Sequence, residues 1–179
     1  MSFIESLDEP LLAELFSYWS ERRQGRIAPA RSDIDPVDIP HLLPYIALCE
    51  IVPNPDPTPG RKAYRFRYRL AGTQIEARFG CALTHRYLDE VKQGEYLDYI
   101  VNLYDRLMAE MAPIYSESSF GDGVENKLWA KRLMLPLSDD QQTANMVLAG
   151  IIYIDNDPSH RTTVLRVQDR FSPSRTEAG

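Results

Sequence analysis

The sequence predicts an α+β domain in which a five-stranded antiparallel sheet carries helices on one face and is preceded by an N-terminal amphipathic helix. Three observations lead to this fold class. The elements follow one another as helix, two strands, several helices and three strands. The turns between strands are short and polar, which favours antiparallel pairing in one sheet. Residues 64–70 alternate between apolar side chains and arginine, as expected for a strand with one buried face.

The composition indicates a soluble globular protein without a membrane span. The chain has 179 residues, 44% of them hydrophobic, with a net charge of −6. This charge disfavours nucleic acid and anionic membranes as partners. No window holds the roughly 20 apolar residues of a membrane span, and no secretory leader begins the chain, so we expect a cytoplasmic protein. We divide it into an N-terminal helix (1–27), an α+β domain (28–157) and a polar tail (158–179).

The first helix is amphipathic. Pro10 suits its first turn, and Asp8 is expected to cap it. Its apolar side chains recur at helical spacing and form one stripe: Leu11, Leu12, Leu15, Phe16 and Trp19. Such a stripe is buried either on the domain's own sheet or against a second copy of the protein, and both alternatives remain open. We take these five residues as candidates for a dimer or partner contact.

A proline-rich connector, residues 28–44, separates this helix from two strands. The first strand is predicted at 45–52 and ends in a loop with four prolines, residues 53–60. In the second strand, the alternation places Tyr64, Phe66, Tyr68 and Leu70 on the buried face.

The helical insert and the last strands complete the pattern. A short helix is predicted from Thr73 to Gly80, a second helical or turn region at 83–91, and a long helix ending before Pro113. Three strands follow at 114–120, 128–137 and 146–154. Because the last of them is apolar on both faces, we expect it to be a central strand covered on both sides.

Several blocks of this chain resemble one family. They are residues 67–73 (RYRLAGT), 79–84 (FGCALT), 135–140 (LPLSDD) and the proline-bounded segment 33–44, with Tyr18-Trp19 upstream. Together they resemble PAS-like proteins of alphaproteobacteria over residues 12–154. The resemblance implies a PAS-like sheet with helices cradled on one face. It also implies a sensory or regulatory role, since PAS domains bind small ligands or dimerise and signal to partners. His85 stands where the family often has glycine after Leu-Thr.

One polar cluster could be read as a metal site. Asp33, Asp35, Asp38 and His41 are closely spaced, but carboxylates around one histidine are not diagnostic of a metal. The alternative is helix capping, in which Asp35 caps a turn that begins at Pro36 and Asp38 favours the same turn. We favour capping and predict no metal. The two cysteines, Cys49 and Cys81, are expected to be free and to pack as small apolar residues.

Enzyme motifs are missing from the sequence. It has no Gly-x-Ser-x-Gly elbow, no phosphate-binding glycine loop and no His-Glu-x-x-His ligand pair. A haem sensor would need an axial ligand, for which His85 is the best candidate. Neither cysteine has the sequence context of a photosensory flavin domain. We therefore predict no catalytic residues, and the sequence requires neither haem nor flavin.

These patterns support a regulatory module rather than an enzyme. No room is left for an effector domain, so we expect the output to pass through a protein partner in signalling, with a homodimer as the expected assembly. A small ligand would lie between sheet and helices, against these candidates: Tyr64, Phe66, Tyr68, His85, Tyr99 and Leu103. The alternative is a closed core filled by the same side chains. The strand patterns identify no inward-facing charge.

Overall fold

The computed structural model describes residue 4 and residues 7–56, 62–120 and 128–155, so the predicted tail at 158–179 lies outside the described residues. Within these ranges the elements closely follow the predicted order. They are α1 (Pro10–Arg23), β1 (Ile46–Pro53), β2 (Tyr64–Ala71), α2 (Thr73–Phe79), α3 (Leu88–Val91), α4 (Gly94–Glu110), β3 (Ile114–Phe120), β4 (Leu128–Leu137) and β5 (Met146–Asp155).

The five strands form one antiparallel sheet in the order β2-β1-β5-β4-β3. This confirms the predicted fold class. The doubly apolar strand β5 lies at the centre of the sheet, as expected, with β1 on one side and β4 on the other.

Each face of the sheet supports its own hydrophobic core. On the face that we call the helix face, side chains of the strands pack against α2, α3 and α4. On the opposite face, which we call the α1 face, leucines of β1, β4 and β5 pack against α1. The strand period of two assigns neighbouring residues to opposite cores, so Ala149 belongs to the helix face and Leu148 to the α1 face.

Helix α1 is held on the sheet by its apolar stripe. Leu12, Leu15 and Trp19 are at most 2% exposed, and the indole Nε1 of Trp19 donates a hydrogen bond to the carbonyl oxygen of Pro136 over 2.8 Å. A Cβ atom on Gly150 of β5 would lie 2.7 Å from the side chains of both Leu12 and Leu15. The close approach of α1 to the sheet therefore requires glycine at this position.

Asp8 does not cap α1 as the sequence suggested. The N-cap residue is Glu9, and no side chain caps the helix. The Asp8 carboxylate instead accepts hydrogen bonds from Lys131 Nζ over 2.7 Å and from the Tyr115 hydroxyl over 3.3 Å. The residue thus links the beginning of α1 to the sheet. Sequence spacing could not reveal this role because both partners are more than 100 positions away along the chain.

Strand β2 departs from the predicted alternation at both ends. Phe66 and Tyr68 are buried on the helix face as expected, but Tyr64 is 45% exposed at the beginning of this edge strand. A register shift between Leu48 and Cys49 of the neighbouring strand turns Leu70 to the α1 face. The prediction was wrong for Leu70 because an extra residue in β2, Arg69, reverses the alternation there, and it was wrong for Tyr64 because the beginning of this edge strand is left uncovered.

The connector before β1 forms three short 3₁₀ helices, Arg31–Asp33, Pro36–Asp38 and Leu43–Tyr45. Asp35 caps the second of them by accepting a hydrogen bond from the Val37 amide over 2.9 Å, which confirms the predicted cap. The end of the connector packs against Gly72, where a Cβ would lie 2.1 Å from the carbonyl oxygen of Leu43. This explains the glycine in the block 67–73.

Candidate ligand-binding site

A cavity lies on the helix face, between the sheet and helices α2 to α4. Its volume is about 30 Å³, which is room for about two water molecules. The sheet side is formed by Ala47, Cys49, Tyr68, Arg132, Met134, Ala149, Ile151 and Tyr153, and the helix side by Phe79, Leu88, Lys92, Tyr96, Ile100 and Tyr104. The wall is thus mostly apolar and aromatic, with two cations and no carboxylate.

Arg132 is the buried charge of this site. It lies in the middle of β4 between Ala130 and Met134, and its side chain points to the helix face like theirs. Although it is only 3% exposed, its partners are two neutral hydroxyls. Its Nη2 donates to the Tyr96 hydroxyl over 2.9 Å, and its Nη1 lies 3.4 Å from the Ser116 hydroxyl. No carboxylate of the described residues forms an ion pair with it.

Lys92 is the second cation of the cavity. Its Nζ lies 4.0 Å from the centre of the Phe79 ring and 5.0 Å from the centre of the Tyr96 ring. Burial, together with the positive charge of Arg132, lowers the pKa of Lys92. The positive charges of Lys92 and Arg132 therefore repel each other across the cavity.

The remaining polar groups of the wall are neutral. Burial raises the pKa values of Tyr68, Tyr104 and Tyr153 above that of free tyrosine, so these phenols keep their protons at physiological pH. Burial also raises the pKa of the Cys49 thiol to about 12. The site therefore offers hydroxyl donors and positive charge, but no anionic base or nucleophile that is ionised near pH 7.

Two further buried hydroxyls have no hydrogen-bond partner. Tyr99 on α4 is 8% exposed and Ser118 on β3 is 5% exposed, and neither hydroxyl is bonded. Tyr99 interacts electrostatically with Arg132. Ser118 is two residues from Ser116, the residue that pairs with Arg132 in the sheet, and therefore lies on the same face. Unsatisfied buried polar groups are rare in folded proteins, and such groups call for an explanation.

The predicted pocket residues have different positions. Tyr68 lines the cavity, whereas Phe66, Tyr99 and Leu103 are buried in the core around it. Phe66 stacks on Tyr104 with the ring centres 4.0 Å apart. Tyr64 is exposed and does not line the cavity.

His85 is also exposed and lies outside the cavity wall. The prediction that it lines the pocket, on which its choice as haem ligand depended, was wrong. It adopts a left-handed conformation with φ 73°, and its amide donates to the Tyr68 carbonyl oxygen over 2.7 Å. His85 thus holds the backbone conformation that glycine adopts most easily, in agreement with the glycine that the family resemblance implies at this place.

Sequence reasoning missed the two cations and Tyr96, which together give the site its chemistry. A signal for Arg132 was present, because it occupies an inward position of a strand whose other inward residues are apolar. The inward direction of β4 became certain only from its pairing with β5, in which Arg132 lies opposite Ile151.

The contact surface predicted on α1 is mostly used within the chain. Leu12, Leu15 and Trp19 are buried against the α1 face, while Leu11 and Phe16 at the margin of the stripe are only partly buried. Of the two alternatives for this stripe, the chain's own sheet covers most of it. Leu11 and Phe16 also pack against this core, with Phe16 stacked on Trp19, but part of their surface stays accessible to another molecule.

The acidic cluster of the connector is occupied by internal contacts. Asp33 pairs with Arg26, Asp38 with Arg22, and His41 with Glu14. Among the described residues, no group of three or more histidine, cysteine or acidic side chains is placed to hold a metal ion. Both cysteines are free, but only Cys49 is buried; Cys81 is exposed, contrary to the expectation for it.

The sheet order, the helices on one face and the cavity between them agree with one family of domains. A family model described as PAS domain matches residues 7–152. The chain belongs to the PAS domain family. The matched range includes α1, so this helix is part of the region that defines the PAS domain here. No curated protein is significantly similar in sequence to this chain. PAS domains are generally sensory rather than catalytic, and none of the helices described here is long and apolar enough to cross a membrane.

Proposed function

We propose that this PAS domain is a sensory or regulatory module that binds a small ligand on the helix face and acts by contact with a protein, in the first place a second copy of itself. It is not an enzyme in this proposal. The observation that carries it is the cavity between sheet and helices, which combines apolar walls with a few convergent polar groups, as ligand sites in proteins do.

The cavity is also placed to transmit a signal. Three helices contribute to its wall through Phe79 of α2, Leu88 of α3 and Tyr96 of α4. With about 30 Å³ of space, a ligand larger than a few atoms must displace one of these helical side chains. Binding would therefore shift helices against a rigid sheet, and a ligand that prefers one arrangement of the helices changes its population.

The ligand part of the proposal is tested by native mass spectrometry of the full chain purified from its own host. We expect a small non-peptide mass that disappears when the protein is denatured. The matched control is Ala149→Val, which adds two carbons to the cavity wall without touching a polar group. This variant should fold normally and lose the extra mass. If the wild type carries protein mass only, the ligand part is wrong and the module acts by protein contact alone.

The contact part is tested with point variants, because deletion of α1 would also remove four of the sixteen buried side chains that the described residues contribute to the α1-face core. We expect wild-type protein to form a dimer in sedimentation velocity, and Leu11→Glu with Phe16→Glu to shift it to monomer. The control is Tyr64→Glu, which also charges a partly exposed aromatic position but lies on the edge strand β2. A wild type that stays monomeric over the accessible concentration range would contradict this part.

A further inference from the structure

We propose that the cavity binds a short-chain carboxylate, whose carboxylate group pairs with Arg132 and whose apolar tail lies against Ala47 and Ala149. This inference rests on the proposed ligand-binding function and names the class of the ligand. It is carried by the buried Arg132 in the cavity wall, whose hydrogen bonds go to hydroxyls and to no carboxylate of the described residues.

The first argument is the lack of an anionic partner for Arg132. A guanidinium is charged at every physiological pH and carries five N–H donors in a planar fork. At 3% exposure, Arg132 is shielded from bulk solvent, yet its hydrogen bonds go to the hydroxyls of Tyr96 and Ser116. An isolated buried ion is strongly unfavourable, and buried charges are therefore normally paired. A carboxylate is the partner that matches the geometry of the fork.

The second argument is the presence of another cation in the same wall. Lys92 and Arg132 both line the cavity, and none of its lining residues is acidic. The chain as a whole carries a net charge of −6, with 26 acidic residues against 20 basic ones. A wall with two cations and no acid is thus the reverse of the average surface. An anion would remove the repulsion between the two cations.

The third argument comes from the unbonded hydroxyls. Tyr99 and Ser118 are more than nine-tenths buried and have no partner, and both lie on the side of the core where Arg132 is. Each hydroxyl proton needs an acceptor. A carboxylate oxygen provides one, whereas the guanidinium of Arg132 has only donors. Neither residue lines the cavity, but both add unbonded donors on the side of the core that holds the Arg132 side chain.

The remaining wall defines the rest of the ligand. Ala47, Ala149, Ile100 and Ile151 present apolar surface, which excludes an ion that is polar on all sides, such as phosphate. The cavity volume of about 30 Å³ is room for about two water molecules, so a carboxylate enters only when a helical side chain such as Tyr96 moves, and this keeps the tail short. A carboxylate with a tail of one to three carbons needs the smallest such movement.

The test is a titration of the full chain with propionate, followed by backbone amide chemical shifts and by calorimetry. Propionamide has nearly the same shape without the charge, and inorganic phosphate has the charge without the tail. We expect propionate to bind, with shifts in β4 and α4, and the two comparison compounds to bind at least about tenfold more weakly, since a hydrogen bond to a charged group outweighs a neutral one.

Variants assign the binding to Arg132. Arg132→Met should weaken propionate binding by about tenfold or more, and Arg132→Lys should lie between this variant and the wild type. Arg106→Met is the matched control: Arg106 lies on α4 outside the cavity wall and pairs with Glu110, and the variant should bind as the wild type does. If Arg132→Met fails to fold, Tyr99→Phe removes one unbonded hydroxyl only and should weaken binding a few-fold.

Several results would overturn the inference: no binding of propionate, equal binding of propionamide, or unchanged affinity in both Arg132→Met and Tyr99→Phe. Failure of this inference can be separated from failure of the proposed function. If the purified wild type carries a ligand mass that Ala149→Val loses but Arg132→Met retains, the sensor proposal stands and the carboxylate inference is wrong. Absence of both the mass and propionate binding would contradict both.

Discussion

The α1 face and the helix face of the sheet have the same strands in common but differ in what they bury. The α1 face buries mainly aliphatic side chains and the Trp19 indole, beneath one long helix. The helix face contains the cavity and also buries the polar side chains of Ser116, Ser118 and Arg132. The α1 face thus stabilises the fold, whereas the helix face is less closely packed at the cavity, where we propose that a ligand binds.

This division fits a general relation between stability and function. Functional sites commonly contain groups that destabilise the folded protein and are compensated elsewhere. Here the compensation would come from α1, which packs on the opposite side of the same strands. If this comparison is correct, substitutions of similar size on the two faces have different consequences for stability.

The largest effect is expected from Leu15→Ala on the α1 face. Leu15 is 1% exposed, and its removal leaves a cavity under α1. Buried leucine to alanine substitutions cost about 2–5 kcal/mol in free energy of unfolding. Urea denaturation at neutral pH measures this loss. Leu11→Ala, at the partly exposed margin of the same stripe, is the control and should cost clearly less; equal losses would show that α1 is not packed as described.

A pair of adjacent residues on β5 compares the two faces directly. Gly150→Ala places a methyl group 2.7 Å from the side chains of Leu12 and Leu15, so we expect a loss of about 1–3 kcal/mol from overpacking. Ala149→Val adds a larger group but points into the cavity on the helix face, and it should cost less than Gly150→Ala. Thermal and urea unfolding of both variants decide the matter. The comparison of the faces fails if the order is reversed.

Much of this arrangement could be predicted from the sequence, and the wrong predictions have physical reasons. The doubly apolar strand 146–154 correctly indicated a central strand, because only a strand covered on both faces tolerates such a pattern. Leu70 was placed wrongly because the extra residue Arg69 in β2 leaves no mark in the sequence, and Tyr64 because the alternation does not show that β2 lies at the edge of the sheet. The same holds for the site, since an inward Arg132 is recognised only when the pairing of β4 is known.

The next prediction concerns the stability of Arg132→Met, on the helix face, in the absence of a ligand. The substitution replaces an unpaired buried cation by an apolar side chain of similar length and leaves the hydroxyls of Tyr96 and Ser116 without their donor. Replacing buried charges by apolar residues is often neutral or stabilising. In buffer without carboxylates, we expect a free energy of unfolding equal to the wild type or higher by up to about 2 kcal/mol.

Urea denaturation provides this measurement as well, with Arg106→Met as the control that removes a surface ion pair with Glu110 and should change stability by less than about 1 kcal/mol. A loss of more than about 2 kcal/mol in Arg132→Met, beyond what one neutral hydrogen bond contributes, would show that the arginine is needed for the fold itself. The buried charge would then need no ligand as explanation.

The smallest effect concerns the link between the beginning of α1 and the sheet. Burial alone would raise the pKa of Asp8, but the hydrogen bond and the positive charge of Lys131 exceed this effect and lower it. A lowered pKa in the folded state stabilises the protein above the pKa of the unfolded chain, about 3.9 for aspartate, and this contribution is lost as the pH falls through the folded value. Because the Asp8 side chain is 61% exposed, we expect Asp8→Asn to cost only about 0.2–1 kcal/mol at pH 7.

The pH dependence separates this electrostatic contribution from a change in packing. The difference in melting temperature between wild type and Asp8→Asn should be present at neutral pH, should fall as the pH drops below the unfolded pKa of about 3.9, and should vanish below the lowered pKa of the folded state, where the carboxylate is protonated in both states. High salt should reduce it too, because the pair is largely exposed. In a Lys131→Met background the substitution should matter less, since the main partner is gone. A difference that persists unchanged in acid would mean that Asp8 holds α1 through its shape and its bond to Tyr115 rather than through its charge.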